Sequence, residues 1–240
     1  MMIVPINSLL NEAVKERNFS KIAIVGLPCH IHGIRKLQKF GLPREIVKSI
    51  KLTIGLFCSA TYYWEGTKHL LREYGKINNL EDIIAMDYRG GSSPVGLFVL
   101  TRDRKIHFVA SKHDYTWHLL GAASYKRDRC LMCVDFTAEL ADISCGDIFQ
   151  KIGVKDESFV ATLVRTKIGE NLIKLAVDKD YIFVEEHNPD LIPASGMGWE
   201  AKKHACVYRL MQRKKYKWPT PNYGYKMLVK PLPRDLKFPR

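Results

Sequence analysis

Cysteine is scarce in this chain, with six residues in 240. That density is too low for a secreted domain stapled by disulfides. No basic–apolar–small leader opens the sequence. Long apolar runs are missing too. The longest uncharged stretches, around Ile22–Ile34 and Leu52–Trp64, are too short to span a bilayer. The expectation is a cytoplasmic, non-transmembrane protein with reduced thiols. No G-x-G-x-x-G and no P-loop is present, which removes the two best-defined phosphate-cradling signatures. There is no repeat of fixed period and no low-complexity tract. Acid is lacking in one place: Lys202 to Arg240 holds twelve Lys or Arg and one acid, Asp235, a charge of +11. The whole chain carries +13, so the first 201 residues carry 13 − 11 = +2. A basic tail on a near-neutral body disfavours nucleic acid as the partner of the whole protein. It fits a docking segment for something acidic.

What is present reads as an α/β protein. Ile6, Leu9, Leu10, Ala13 and Val14 share one helical face. Lys21–Gly26 is a β-branched run, as expected of a buried parallel strand, and a helix follows it to Gly41. Ile50–Phe57 and a helix over Tyr62–Tyr74 repeat the plan. Two strand–turn–helix units imply a parallel βαβ core with right-handed crossovers. Short strands at Ile83–Tyr88, Leu97–Thr101 and Ile106–Val109 predict an additional small antiparallel sheet. A helix is expected over Ser111–Leu120, a strand over Phe159–Val164, a helix over Ile168–Val177 and a strand over Tyr181–Val184. The domain expectation is a core over residues 1–200 and a basic, proline-rich helix and arm over 201–240, with a helix at Met197–Gln212.

The chemistry gathers in Tyr125–Asp147 (YKRDRCLMCVDFTAELADISCGD). Cys130 and Cys133 form a C-x-x-C preceded by Lys126, Arg127 and Arg129. Neighbouring positive charge favours the thiolate that a metal or cluster needs. The motif alone fits half a zinc site, part of an iron–sulfur site, or a redox dithiol. Cys29 and Cys58 each follow the C-terminal end of a predicted strand, the edge where open α/β sheets bind ligands. With Cys130 and Cys133 they make a set of four thiolates, suited to a [4Fe–4S] cluster or to structural zinc. The competing reading makes Cys29 and Cys58 small buried hydrophobes. Gly26 and Pro28 sit in a strand-to-helix turn that could hold a phosphate or be only a turn. Arg89, Gly90 and Gly91 form a basic turn able to hold a cofactor phosphate through Arg and exposed backbone N–H groups. Asp142 and Asp147 are candidates to orient a ligand, although Asp147, next to Gly146, also reads as a turn residue. Tyr115, Trp117 and Tyr125 are aromatic core or a flavin wall. His30 and His32 flank the Cys29 turn and could ligate or shuttle protons, but read first as surface polar residues. Cys145 and Cys206 lie apart from the set, Cys206 packing on its helix.

Three segments carry a resemblance: Val25–His30 (VGLPCH), Ile54–Cys58 (IGLFC), and Cys130–Asp147, a C-x-x-C followed by ADIS-x-GD. In order and spacing, across about Lys21 to Ile148, they resemble the family of coenzyme F420 hydrogenase/dehydrogenase beta subunits. That family has valine before the final Gly-Asp, where this chain has Cys145, either a neutral replacement or an extra ligand. It also has a Gly-rich N-terminal region ahead of the part matched here, so the expectation is an N-terminally shortened form, a fragment, or half of a split protein.

The resemblance implies an archaeal, methanogen-type iron–sulfur flavoprotein holding FAD and a [4Fe–4S] cluster. Its members pass electrons between coenzyme F420 and a partner, a subunit of a hydrogenase, formate dehydrogenase or other oxidoreductase. The alternative expectation is a non-catalytic docking or assembly protein, stabilised by a metal, whose basic tail binds an acidic partner.

Overall fold

The computed structural model describes residues 6–41, 43–91, 95–116, 125–147, 160–194 and 197–225. Its strands are β1 (Ile22–Gly26), β2 (Ile50–Leu56), β3 (Ile83–Gly90), β4 (Gly96–Thr101), β5 (Ile106–Ser111), β6 (Ile143–Gly146) and β7 (Ala161–Val164). Its helices begin with α1 (Leu9–Asn11), α2 (Pro28–Phe40), α3 (Arg44–Ser49), α4 (Trp64–Glu73) and α5 (Lys112–Thr116). They continue with α6 (Asp128–Leu131), α7 (Lys167–Asp178), α8 (Leu191–Ala194), α9 (Met197–Glu200) and α10 (Cys206–Lys215). Two compact units result: Ala60–Leu131, and Val4–Ser59 together with Met132–Arg240.

The second of these holds the parallel sheet, in the order β1-β2-β6-β7. β1, β2 and β6 run parallel, and β7 pairs antiparallel with β6. The apolar run of β1 and the stripe of α2 form a core of Leu10, Ile24, Ile34, Ile46 and Ile50. α2 ends where the spacing predicts, on Gly41 in the left-handed region (φ 68°). On β2, Gly55 is required by a close approach: a Cβ there would lie 2.3 Å from Ala138 Cβ and 3.0 Å from Ala141 Cβ. Gly55→Ala is therefore expected to lower stability by about 2–3 kcal/mol through overpacking. Urea unfolding checks this; an unchanged midpoint would refute the close contact.

Ala60–Leu131 holds the antiparallel sheet β3-β4-β5. Leu70 and Leu71 of α4 pack with Ile77, Leu97, Val99, Val109 and Ala110 into its core. Both sheets fulfil the expected mixed α/β class.

Several local expectations change. Tyr181–Val184 has the residue types of a strand but forms none, and Tyr181 and Phe183 are each 78% exposed. A strand needs a neighbour for its backbone groups, and among the described residues β7 pairs with β6 alone. Arg89 and Gly90 belong to the end of β3 rather than to a turn, and only Gly91 of the three takes a positive φ (76°). The N-terminal helix is broken into a 3-10 turn (Ile6–Ser8), α1 and a π turn (Glu12–Glu16), leaving Leu9 exposed. The expected Met197–Gln212 helix is α9 and α10 joined by a π segment, Ala201–Ala205. Trp117–Leu120, Phe159 and the tail beyond Tyr225 lie outside the described residues.

Candidate functional site

The parallel register places two of the predicted thiols. Gly26 of β1 pairs with Gly55 of β2, and Cys29 and Cys58 each lie three positions further on. Both therefore leave the same end of adjacent strands. Cys29 enters the first turn of α2 behind Pro28, whose missing N–H is no loss at a helix start. The positive end of a thirteen-residue helix favours negative charge at that position. Gly26 allows the turn: a Cβ there would stand 2.9 Å from His30 Cβ. His30 Nδ1 accepts the Leu27 N–H at 3.2 Å and satisfies a donor at the helix start.

The third thiol is tied to the same edge by two bonds. The Cys58 N–H donates to the Phe136 carbonyl at 2.9 Å. His32 Nε2 lies 2.8 Å from the Asp135 carboxylate, which is fully buried. The same carboxylate accepts the Glu139 N–H. The segment Cys133–Phe136 is thus fastened to the start of α2 and to the end of β2. Cys133 itself donates to the Asp135 carbonyl at 3.6 Å. From the other side, α9 presses on this strip: a Cβ on Gly198 would meet Phe136 and Ser59 at 2.4 and 2.6 Å.

Cys130 lies in α6, within Ala60–Leu131. Its sulfur accepts from the Thr61 N–H at 3.4 Å and lies 3.3 Å from the Thr61 hydroxyl. Hydrogen bonds to a ligand sulfur tune the potential of a cluster it would hold. Arg89, Gly90 and Gly91 belong to this unit too, whereas Gly26 and Pro28 belong to the other. The Arg89 N–H donates to Asp87 Oδ1 at 2.9 Å. Tyr115 and Tyr125 pack against the antiparallel unit's core, as the aromatic-core reading expects.

The remaining cysteines differ. Cys145 in β6 pairs with Leu56, and its sulfur accepts from the Thr162 hydroxyl at 3.8 Å. Cys206 is buried with Val134 and Val207, and burial pushes its thiol upward. All six cysteines are thiols. Their chemistry suits a cluster or zinc. Among the described residues, no three His, Cys, Asp or Glu side chains gather into a ready metal-binding group.

Asp142, a candidate to orient a ligand, serves the fold instead. Its carboxylate accepts from the Thr53 N–H and hydroxyl, both at 2.8 Å, and from the Thr166 hydroxyl at 2.9 Å. It also pairs with Arg35 at 3.0 Å. Asp147 is exposed. The two histidines read as surface residues are buried. What the sequence hides is the partner of His32, 103 positions away. The one available signal is that His32 stands a helical turn from Cys29, and Asp135 two residues from Cys133.

The profile of a family described as the C terminus of the beta subunit of coenzyme F420 hydrogenase/dehydrogenase matches residues 19–190. The beta subunit of coenzyme F420 hydrogenase from Methanococcus voltae is 28% identical over 222 residues, covering 91% of this chain and 72% of that protein. The F subunit of F(420)H(2) dehydrogenase from Methanosarcina mazei is 29% identical, covering 78% of this chain and 47% of that one. Coenzyme F420-dependent sulfite reductase from Methanocaldococcus jannaschii is 31% identical, covering 71% of this chain and 26% of that one. Among solved structures, a chain of the F420-reducing NiFe hydrogenase complex from Methanosarcina barkeri shares the fold, with TM-score 0.63 and 23% identity over 92% of this chain and 71% of that one.

Proposed function

The chain belongs to the family of coenzyme F420 hydrogenase/dehydrogenase beta subunits, and from that premise we propose that it is an electron-transfer subunit working with F420. In this reading Cys29, Cys58, Cys130 and Cys133 ligate a [4Fe–4S] cluster, and FAD binds beside it. The single observation that carries the reading is the fastening of Cys133–Phe136 to the start of α2 and the end of β2, which brings three of the four thiol-bearing segments to one sheet edge.

A bound flavin supplies the exchange between a two-electron hydride, as F420 carries it, and the single electrons a cluster takes. The chain's own residues do the rest. Cys29 sits at the positive end of α2, and Cys130 receives the Thr61 N–H at its sulfur. The buried Asp135–His32 bond holds the Cys133 backbone against α2. Gly26, Pro28, Arg89, Gly90 and Gly91 are the proposed contacts for the flavin's phosphates, through glycine N–H groups and the Arg89 guanidinium, with Pro28, which has no N–H, shaping its turn. The partner in this proposal is a subunit of a hydrogenase, formate dehydrogenase or other oxidoreductase, in the cytoplasm. No helix among the described residues is long and apolar enough to cross a membrane.

The test is reduction of a one-electron dye by reduced F420, with the chain alone and with candidate partner subunits. Dye reduction above the background without protein is the expected result, and no reduction with any of these partners contradicts it. A second reading, a docking protein with a structural metal, draws on the basic segment after Lys202. There Arg213, Lys214 and Lys215 end α10, and Trp218 is 57% exposed. It predicts an intact metal site, no dye reduction, and salt-sensitive capture of an acidic partner protein.

A further inference from the structure

The last described residues turn back onto the thiol-bearing elements. Asn222 Oδ1 accepts the Gly224 N–H at 2.8 Å, and Gly224 takes a φ of 72°, so Asn-Tyr-Gly makes a tight turn. Along α2, Lys36 donates to the Asn222 carbonyl and Lys39 to the Gly224 carbonyl at 2.5 Å. The Tyr225 hydroxyl donates to the Arg35 carbonyl at 2.8 Å, and its ring lies under Lys39 Nζ at 5.1 Å. In the opposite direction, the Tyr223 hydroxyl donates to the carbonyl of Met132, beside Cys133, at 2.5 Å. The Tyr223 ring stands edge-on to His32 at 5.2 Å and packs on Val134, Cys206 and Val207.

We propose that Asn222–Tyr225 is a clamp that fixes α2 against the Met132–Val134 segment, with Tyr223 as the positioning residue for Cys133. The strap reaches both elements at once, and within it Tyr223 touches both the segment and the helix. Lys36 and Lys39, cations that sequence alone would offer to solvent or a partner, are spent on strap carbonyls. The first part of the tail thus serves this chain's own site before any partner. That a clamp exists rests on these contacts; that it positions a cluster ligand rests also on the proposed ligand set.

Two readouts separate these claims. Alkylation of Cys206 by iodoacetamide, followed by mass spectrometry with Cys145 as internal reference, reports the clamp whatever the iron content. Tyr223→Ala is expected to speed Cys206 labelling about tenfold by easing local opening, and unchanged labelling overturns the clamp. Tyr223→Phe keeps the ring and removes only the hydroxyl. With iron retained, it is expected to shift the cluster's midpoint potential and its electron paramagnetic resonance line shape, because hydrogen bonding around the ligands tunes both. Faster labelling in Tyr223→Ala with an unaltered potential and line shape in Tyr223→Phe overturns the positioning role. Wild-type protein without iron overturns the ligand set, while the labelling still decides the clamp.

Discussion

Cys133→Ala is expected to strip the chain of its iron, and Cys206→Ala to leave iron in place. The two thiols are neighbours of one strip of backbone, so the contrast tests chemistry rather than location. Cys133 follows Met132, held by Tyr223, and precedes Asp135, held by His32. Cys206 packs among Val134 and Val207, where burial pushes its thiol upward, away from the thiolate. A cluster binds thiolates, so that thiol is a poor ligand. Losing a group that only orients a metal ligand weakens binding about 10–100-fold, and losing the ligand itself is expected to exceed that. Cys29→Ala, Cys58→Ala and Cys130→Ala should follow Cys133→Ala. Cys145→Ala should follow Cys206→Ala, because its sulfur lies in a β6 ladder and accepts from Thr162. Iron analysis of anaerobically purified variants reads the result. Iron unchanged in Cys133→Ala removes that residue from the ligand set, and iron lost in Cys145→Ala adds that one.

Asp142→Ala is expected to be the most destabilising single change in the parallel sheet. The carboxylate ties β2 through Thr53, α2 through Arg35 and the start of α7 through Thr166. Its removal leaves the Arg35 guanidinium largely buried, with only 20% of that side chain exposed. Breaking such a pair from one side costs about 3–5 kcal/mol. For a chain of this size that lowers Tm by roughly 10 °C. The pH dependence follows from the same bonds. Burial alone would raise the carboxyl, but the Thr53 hydrogen bonds, Arg35 and Thr166 outweigh it and hold the group below its ordinary value. A depressed carboxyl stabilises above the unfolded value, near 4, and that stability is lost progressively as pH falls below it through the lower folded value. Wild type should therefore lose stability below about pH 4 more steeply than Asp142→Asn. Calorimetry across that range decides, and equal slopes would place the charge elsewhere.

The β-branched run of β1, the helical stripe of α2 and Gly41 were all legible in the sequence, because each depends on neighbours within a few positions. So was the emergence of Cys29 and Cys58 at one sheet edge, once two strand–helix units implied parallel pairing. Tyr181–Val184 misled for the complementary reason: residue type signals strand propensity, but the backbone partner is set by the rest of the sheet. His32 and Asp142 misled through distance. Each meets its partners across roughly ninety to a hundred positions, respectively Asp135 and Thr53, and no local pattern encodes those meetings. The strap was the least legible. Pro219, Pro221 and a dense positive charge suggest an extended arm for a partner, while the side chains that receive it, Lys36 and Lys39, lie far back on α2.

The most direct test of the central claim is the cofactor content of the chain purified without oxygen. The account predicts a brown protein with about four iron and matching sulfide per chain, bleached by reductant, together with bound or bindable FAD. Stoichiometric zinc without iron, in a colourless protein that takes up no flavin, would contradict it.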